Sequence, residues 1–373
     1  MQPRSVYVHV PFCRRRCGYC NFTVVTGRVD LHERLLQALE TEFRELVRPR
    51  PVDTLYIGGG TPTVLTADQL RRLCHLIRHW FPPNSGHEWS IEANPWQLDE
   101  RRLDVLVAAG VNRISLGVQS FDGEKLRRLE RDHRTSDIHQ AFARCRARFP
   151  NISLDLMFGV PGESLDTWRA DLRAAIALRP EHISAYGLTY ERGARFFGRL
   201  RRGELTPLGE EDERTMYELA IDTLVAHGWE QYEVSNFARP GHRCRHNETY
   251  WRGAEYFAAG PGAARYVDGC RAVNHRSTTT YLKRVMAGHS PVAERECLSA
   301  EDRARERLVF QLRMLDGVRR ASFAAATGFT LDQLIQPALH KFTALGLLED
   351  TGSRLRLTRA GLMVSDAIWP ELL

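Results

Sequence analysis

The sequence predicts an α/β fold: a parallel barrel of six β–α units, followed by a small winged-helix-like α+β domain. Three observations carry that expectation. Six strand-like runs alternate with helical patterns over the first half of the chain. Polar residues suited to chemistry follow nearly every run, whereas an open doubly wound sheet gathers its site at one switch point. The last part of the chain abandons the alternation for helices and a hairpin. A doubly wound sheet stays open as the alternative, because strand C-termini carry the site in both architectures.

Taken in order, Ser5-Val6-Tyr7-Val8-His9-Val10 alternates as a short strand that Pro11 ends. Residues 30–47 read as a helix with Leu31, Leu35, Leu39, Phe43, Leu46 and Val47 on one apolar side. Further strands are expected at 53–57, 88–92, 112–117, 152–158 and 182–188. The helix over 66–80 opens with Thr66 and Gln69 at capping-box spacing. Residues 1–235 thus form the barrel core. Residues 236–296 are Gly-rich and weakly periodic and read as a bridge. Residues 297–373 form the terminal domain, with helices at 298–315 and 330–345, a hairpin over 347–357 turning at Gly352, and a final helix.

At 373 residues the chain is too long for one minimal core. Its 43% hydrophobic and 26% charged residues, with a mean hydropathy of −0.37, exclude disorder, collagen and coiled coil as dominant states. No apolar run approaches the roughly 18–20 residues of a membrane span, and Met1-Gln2-Pro3-Arg4-Ser5 opens no signal-peptide stretch. The net charge of +6 is too weak and dispersed to indicate nucleic acid by itself. Of eight cysteines, Cys13, Cys17 and Cys20 lie within eight residues and the rest are scattered. A disulfide framework belongs to shorter secreted chains, so the expected compartment is a reducing cytoplasm, with the trio binding something.

The spacing C-x3-C-x2-C wraps three soft thiolates around one inorganic core. Structural zinc wants four closed ligands, and no fourth Cys or His stands at a partner spacing. An iron–sulfur cubane held by three thiolates instead leaves one iron open, and Arg14, Arg15 and Arg16 favour an electron-rich cluster. Three packed core cysteines are a poor reading beside a triple arginine.

With Tyr19 before its last cysteine, the trio resembles the radical S-adenosylmethionine (SAM) enzymes. The resemblance implies a [4Fe–4S] cluster on Cys13, Cys17 and Cys20 that binds SAM at its open iron and cleaves it with one electron. It also implies a partial (β/α)6 TIM-like barrel. Gly58-Gly59-Gly60-Thr61-Pro62 follows the second strand, where glycines let backbone N–H donors approach SAM. Glu92 ends the third strand and suits ribose hydroxyls or the ammonium group. Gln119 follows the fourth, and Arg131 is placed to pair with the SAM carboxylate. Asp155, acidic in an apolar strand, demands a partner. Tyr7 and Tyr19 complete the expected SAM residues.

Tyr7-Val8-His9-Val10-Pro11-Phe12-Cys13, Gly117-Val118-Gln119-Ser120-Phe121 and the terminal domain look like the HemN group, oxygen-independent coproporphyrinogen III dehydrogenases, across nearly the whole chain. Within it the HemW branch, haem chaperones, is the nearer likeness. No cysteine follows in Cys20-Asn21-Phe22, little chain precedes Tyr7, and His246-Asn247-Glu248-Thr249-Tyr250-Trp251 matches the branch's H-N-x-x-Y-W haem motif. The implication is a haem ligand at His246, with His242 competing. Tyr250 and Trp251 would face the macrocycle, and Arg243 and Arg245 its propionates. Gly18 and Asn21 depart from the branch's usual Pro and Asp, and Ala264-Arg265 from its His-Gly.

The partners so implied are haem as cargo, haem-accepting proteins, and a reduced flavodoxin- or ferredoxin-like donor, with the chain a monomer or a cluster-dependent homodimer. Coproporphyrinogen dehydrogenase activity is not expected. A dehydrogenase or a radical SAM methyltransferase remains the alternative. A third reading, duplex binding by Arg319, Arg320, Arg354, Arg356 and Arg359, is weaker than a solvated basic surface. Cys74 and Cys145 are expected to pack; Cys244, Cys270 and Cys297 could lie near one another, although no motif joins them. His75, His79, His133 and His139 read as surface helix residues.

Overall fold

A computed structural model describes residues 3–373; Met1 and Gln2, part of the opening read above, lie outside it. The barrel strands are two-faced. On β1 (Ser5–Val10) Val6, Val8 and Val10 enter the hydrophobic core, while Ser5, Tyr7 and His9 occupy the opposite side of the pleat. The pattern repeats along β2 (Val52–Gly59), β3 (Pro83–Ala93), β4 (Arg113–Gln119), β5 (Asn151–Phe158) and β6 (His182–Gly187). Leu55, Ile91, Leu116, Leu154 and Ile183 fill the core, whereas Tyr56, Glu92, Ser115, Asp155 and Ser184 line the barrel interior. Strands buried on both faces in this way require a parallel sheet with helices outside.

The six strands lie parallel and in sequence order. The nine-stranded sheet continues with β7 (Asn236–Ala238), antiparallel to β6, then the two-residue strand Glu230–Gln231; at its other edge β8 (Phe257–Ala259) runs parallel to β1. The two edges do not pair, so the barrel is partial. Residues 236–296, expected as a bridge, therefore supply a strand to each edge. These strands are three residues long, too short for a period to show.

Helices α1 (His32–Arg44), α2 (Ala67–Trp80), α3 (Glu100–Ala109), α4 (Gly123–Arg128), α5 (Thr135–Arg146) and α6 (Leu165–Leu178) connect the strands. Both halves of the Thr66–Gln69 capping box form, at 3.1 and 3.2 Å. Helix α1 stops at Arg44, short of the expected 47, and the chain leaves the helical region where Val47 turns left-handed ahead of Pro49. Val47 is consequently 88% exposed at φ 64°, not on the apolar side. Cys74 and Cys145 pack in the core. His133 departs from its expectation: it is buried in the α4–α5 link, its Nε2 3.0 Å from the Val118 carbonyl.

Lys125 of α4 is buried against Glu163 and, at 2.9 Å, Asp171 of α6. Asp171 also accepts from the Ser120 hydroxyl at 2.8 Å and the Phe121 N–H at 2.6 Å. This network fastens the turn after β4.

Beyond α7 (Arg195–Arg201) and α8 (Glu210–Ala226) comes α9 (Arg245–Trp251), then β9 (Ala264–Val267), β10 (Cys270–Asn274), α10 (Thr278–Met286) and β11 (Val292–Cys297). The last three strands form their own sheet, in which register partners Cys270 and Cys297 are joined as a disulfide. Two of the three cysteines that no motif joins are thus bonded to each other. Cys244 is buried apart from them, its Sγ 3.6 Å from Glu88 Oε1.

The terminal domain holds α11 (Ala300–Leu312), β12 (Val318–Arg319), α12 (Arg320–Thr327), α13 (Leu331–Ala344), β13 (Leu348–Asp350) and β14 (Arg354–Leu357). The hairpin turns at Gly352 as expected. Helix α12 was not anticipated: eight residues with Phe323 alone buried carry no readable period. The final helix breaks into α14 (Arg359–Met363) and α15 (Ser365–Ile368). Four of the five candidate phosphate contacts are engaged: Arg320 with Asp332 and Asp350, Arg354 with the Asp316 carbonyl, Arg356 with Glu349, and Arg359 with Asp222. Among the described residues no helix is long and apolar enough to cross a membrane.

Removing the buried cation leaves two carboxylates unpaired, so Lys125→Met is expected to lower stability by about 3–5 kcal/mol. Urea unfolding at neutral pH checks this.

Candidate functional site at the C-terminal ends of the strands

A cavity of about 1160 Å³ opens at the C-terminal ends of the parallel strands, where such barrels carry their chemistry. Cys13, Cys17, Tyr19, Cys20, Gly59, Gly60, Thr61, Glu92, Gln119, Arg131 and Asp155 all line it. Tyr7 does not. Its hydroxyl is held 2.9 Å from His9 Nδ1, and His9 Nε2 in turn lies 2.8 Å from the Thr23 carbonyl.

The cysteine loop is pinned from several sides. Arg16 donates to the Cys20 carbonyl at 3.2 Å, and the Phe196 N–H to the Gly18 carbonyl at 2.8 Å. A Cβ at Gly18 would strike the Phe196 ring, which gives this departure a local reason. Cys13 Sγ lies 3.6 Å from the Thr61 hydroxyl, and Arg131 Nη1 3.4 Å from Cys17 Sγ. Burial pushes the Cys13 thiol up to about 12 and raises Cys20 as well. Burial opposes the charge of Arg131, but Tyr19 and Cys17 outweigh it and hold the guanidinium above its usual value.

Among the described residues no three Cys, His, Asp or Glu side chains converge on a single-ion position. A lone zinc draws its thiolates to about 2.3 Å from one centre, whereas a polynuclear cluster spaces them around a larger body. Three thiols on one short loop are a donor set that fits an iron–sulfur cluster.

The glycine triplet is required by packing. A Cβ at Gly60 would sit 2.6 Å from the Phe12 carbonyl oxygen, and one at Gly58 2.8 Å from Glu92 Oε1. The expectation of exposed N–H donors is not met. The Gly59 N–H goes to Glu92 Oε2 at 3.0 Å, that of Gly60 to the Val10 carbonyl at 2.9 Å, and that of Thr61 to the Phe12 carbonyl at 2.7 Å.

Glu92 also accepts from Tyr56 at 3.0 Å, and Asp155 from Ser115 at 3.0 Å. Burial, reinforced by Asp155, pushes Glu92 up to about 7; burial pushes Asp155 to about 6 against the pull of Ser115 and Ser184. Neither acid has an ion-pair partner among the described residues, so the cavity suits a ligand with cationic and hydroxyl groups, as SAM is. Gln119 sits at φ 65° where β4 bulges against β5, a strained conformation of the kind found at ligand sites. Sequence reasoning missed Tyr56, Arg113, Ser115, Ser184 and Tyr186, which line the same cavity. Their signal was period two: polar side chains at every second position of strands otherwise apolar.

The expected haem residues lie elsewhere. His246 is 1% exposed and lines neither cavity. Its Nδ1 is 2.9 Å from the Thr54 hydroxyl and its Nε2 2.8 Å from that of Tyr250, so both ring nitrogens are hydrogen-bonded. Burial lowers its pKa to about 3. His242 also lines neither cavity, and Arg243 is committed to Asp316 at 2.5 Å. Tyr250, Trp251 and Arg245 instead line a second cavity of about 1100 Å³ at the strands' N-terminal ends, beside Ser5 and Thr54.

Two outcomes are expected. Gly60→Ala pushes Phe12, and with it Cys13, out of place; it should cost about 1–3 kcal/mol and lower the iron bound after reconstitution, measured by metal analysis. In the unfolded chain Glu92 releases its proton near 4.5, but the fold holds it to about 7. The folded state therefore binds more protons between those limits and loses stability as pH rises through them. Thermal denaturation of ligand-free protein should show a fall on the order of 1–3 kcal/mol from pH 5 to 8; Glu92→Gln should remove the part above about pH 6 and leave the part that Asp155 contributes below it.

Residues 7–175 match the radical SAM superfamily and residues 298–364 the HemN C-terminal domain. The chain is 35% identical to the heme chaperone HemW of Bacillus subtilis (strain 168) over 99% of both chains. It is 37% identical to HemW of Mycobacterium tuberculosis (strain H37Rv), over 100% of this chain and 95% of that one, and 34% to that of Escherichia coli (strain K12), over 97% and 96%. The structure of the E. coli coproporphyrinogen III oxidase HemN, described as a radical SAM enzyme, matches with a TM-score of 0.87 over 100% of this chain and 90% of that one. At 23% identity this is a likeness of fold. Similarity carried end to end through barrel, short middle strands and terminal domain places the chain in the HemW family of the radical SAM superfamily.

Proposed function

We propose that this protein is a haem chaperone of the HemW type, holding a [4Fe–4S] cluster and SAM at one end of its barrel and passing haem to haem-dependent proteins. The reading rests on full-length similarity to HemW proteins, joined to one observation: the three thiols and eight of the nine expected SAM residues meet in one cavity. Cys13, Cys17 and Cys20 would ligate the cluster. Glu92 and Asp155 would face the cationic side of SAM, and Arg131 its carboxylate. The cluster supplies one electron to SAM when bound. Tyr250 and Trp251 would face the haem from the second cavity, with His246 behind Tyr250. An oxygen-sensitive cluster favours a cytoplasmic setting, with a reduced flavodoxin- or ferredoxin-like protein as donor.

The alternative is a coproporphyrinogen dehydrogenase or a related radical SAM methyltransferase, whose terminal-domain family the chain shares. One anaerobic preparation separates the readings. Reconstituted protein is expected to bind iron and sulfide as one cubane per chain, to lose it in Cys17→Ala, to bind haem, and to form no vinyl product from coproporphyrinogen III with reductant and SAM. Stoichiometric decarboxylation would favour the dehydrogenase, a gain of one methyl group on an acceptor the methyltransferase. Zinc in place of iron would overturn both.

A further inference from the structure

The second cavity is enclosed by the N-terminal ends of β1 and β2, helix α9, the sheet containing β9 and β10, and helix α11 of the terminal domain. Its charges are unevenly matched. Arg4 is paired with Asp53 at 2.6 Å, Arg252 with Glu248 at 3.3 Å, and Arg271 with Glu306 at 2.8 Å. Arg303 and Arg307 of α11 have no carboxylate partner among the described residues, although both line the cavity. Arg245 donates to the Gly86 carbonyl at 2.6 Å. The remaining acid, Glu255, accepts the Gly269 N–H at 3.1 Å. The cavity therefore carries a net positive charge.

Three of its polar atoms are buried without a hydrogen-bond partner: Arg307 Nε, Trp251 Nε1 and Glu255 Oε2. Two of the three, Arg307 Nε and Trp251 Nε1, are donors, and buried donors left open point to a missing acceptor. Glu255 Oε2 is itself an acceptor, turned to the Gly269 side of the cavity by the bond that its other oxygen accepts. The two arginines are also seated. A Cβ at Gly253, φ 61°, would fall 2.9 Å from Arg307 Cγ, and one at Gly269, φ 72°, would strike the Arg303 guanidinium. Glycine at both positions makes room for the arginine side chains. Beside them Tyr250 and Tyr256 meet edge to face at 4.6 Å, and Tyr266 completes an aromatic wall. Unpaired guanidinium groups beside aromatic faces suit a flat, apolar ligand with carboxylates on one edge.

We propose that this cavity recognises a tetrapyrrole through its carboxylate edge, by Arg303 and Arg307, and not through iron ligation at His246. The proposal rests on the haem-chaperone reading, from which it takes the ligand class; it adds the anchoring residues and the mode of recognition. The anchors belong to the terminal domain and the aromatic wall to the barrel side, so the ligand is held across the junction of the two. The Trp251 N–H and the Arg307 Nε–H gain their acceptors from the ligand.

Equilibrium titrations of the full-length, reconstituted protein with haemin, haemin dimethyl ester and metal-free protoporphyrin IX test this. The ester lacks the carboxylates and is expected to bind at least about tenfold more weakly than haemin; protoporphyrin IX should bind within a few-fold of it. Arg303→Gln with Arg307→Gln should weaken haemin by a similar factor and leave the ester unchanged, with cluster content and melting temperature as checks on folding. The wild-type comparison stands even where the double variant fails to fold. Ester binding as tight as haemin, or protoporphyrin IX a hundredfold weaker than haemin, overturns the inference while haem binding itself survives. A wild type that binds no haemin overturns the chaperone reading and this inference together.

Discussion

The constraint on which this structure depends is that six strands, buried on both sides, each carry polar side chains on one of them. Polar groups inside a barrel must be hydrogen-bonded or held for a ligand, because leaving them bare is costly. At the N-terminal end, Ser90 Oγ excepted, they largely satisfy one another. Thr54 donates to Ser5 at 2.8 Å and lies 2.9 Å from His246, which reaches Tyr250 at 2.8 Å. Ser153 lies 2.8 Å from His182, which lies 2.9 Å from Tyr232. At the C-terminal end Glu92, Asp155 and Arg131 are only partly answered. One end of the barrel is a closed floor, the other a site.

That floor explains the placement of the H-N-x-x-Y-W segment. Its histidine is spent on the floor, stacked 5.1 Å from Tyr56, while the next turn of α9 presents Tyr250 and Trp251 to the far side. The two cavities are separated by hydrogen-bonded side chains, among them His246, whose neighbours on one side include Tyr56 of the upper cavity and on the other Tyr250 of the lower. The two cavities belong to one barrel but do not share a chamber.

Much of the barrel was legible because its rules are local. Valines at 6, 8 and 10, the Thr66–Gln69 cap and the cysteine spacing each act over a few residues. What stayed hidden depends on distance in the chain. Nothing in β7 or β8 announces that three residues will extend opposite sheet edges. The Cys270–Cys297 pairing follows from a strand register that no spacing encodes. The surroundings of His246 were hidden for the same reason: a motif gives residue types, but Thr54, which lies 2.9 Å from its Nδ1, is 192 positions away. The glycine triplet was located correctly but explained in part wrongly, since its N–H groups serve the cysteine strand and Glu92.

Residues 362–367 form part of the wall of the cluster cavity that begins with Cys13. Synthesis delivers the thiols early and this wall nearly last, so a nascent chain presents its metal ligands bare for most of translation. Metallation and enclosure are thereby separable in time. The cavity is thus walled by the two ends of the chain, and its last wall is the last part to be made.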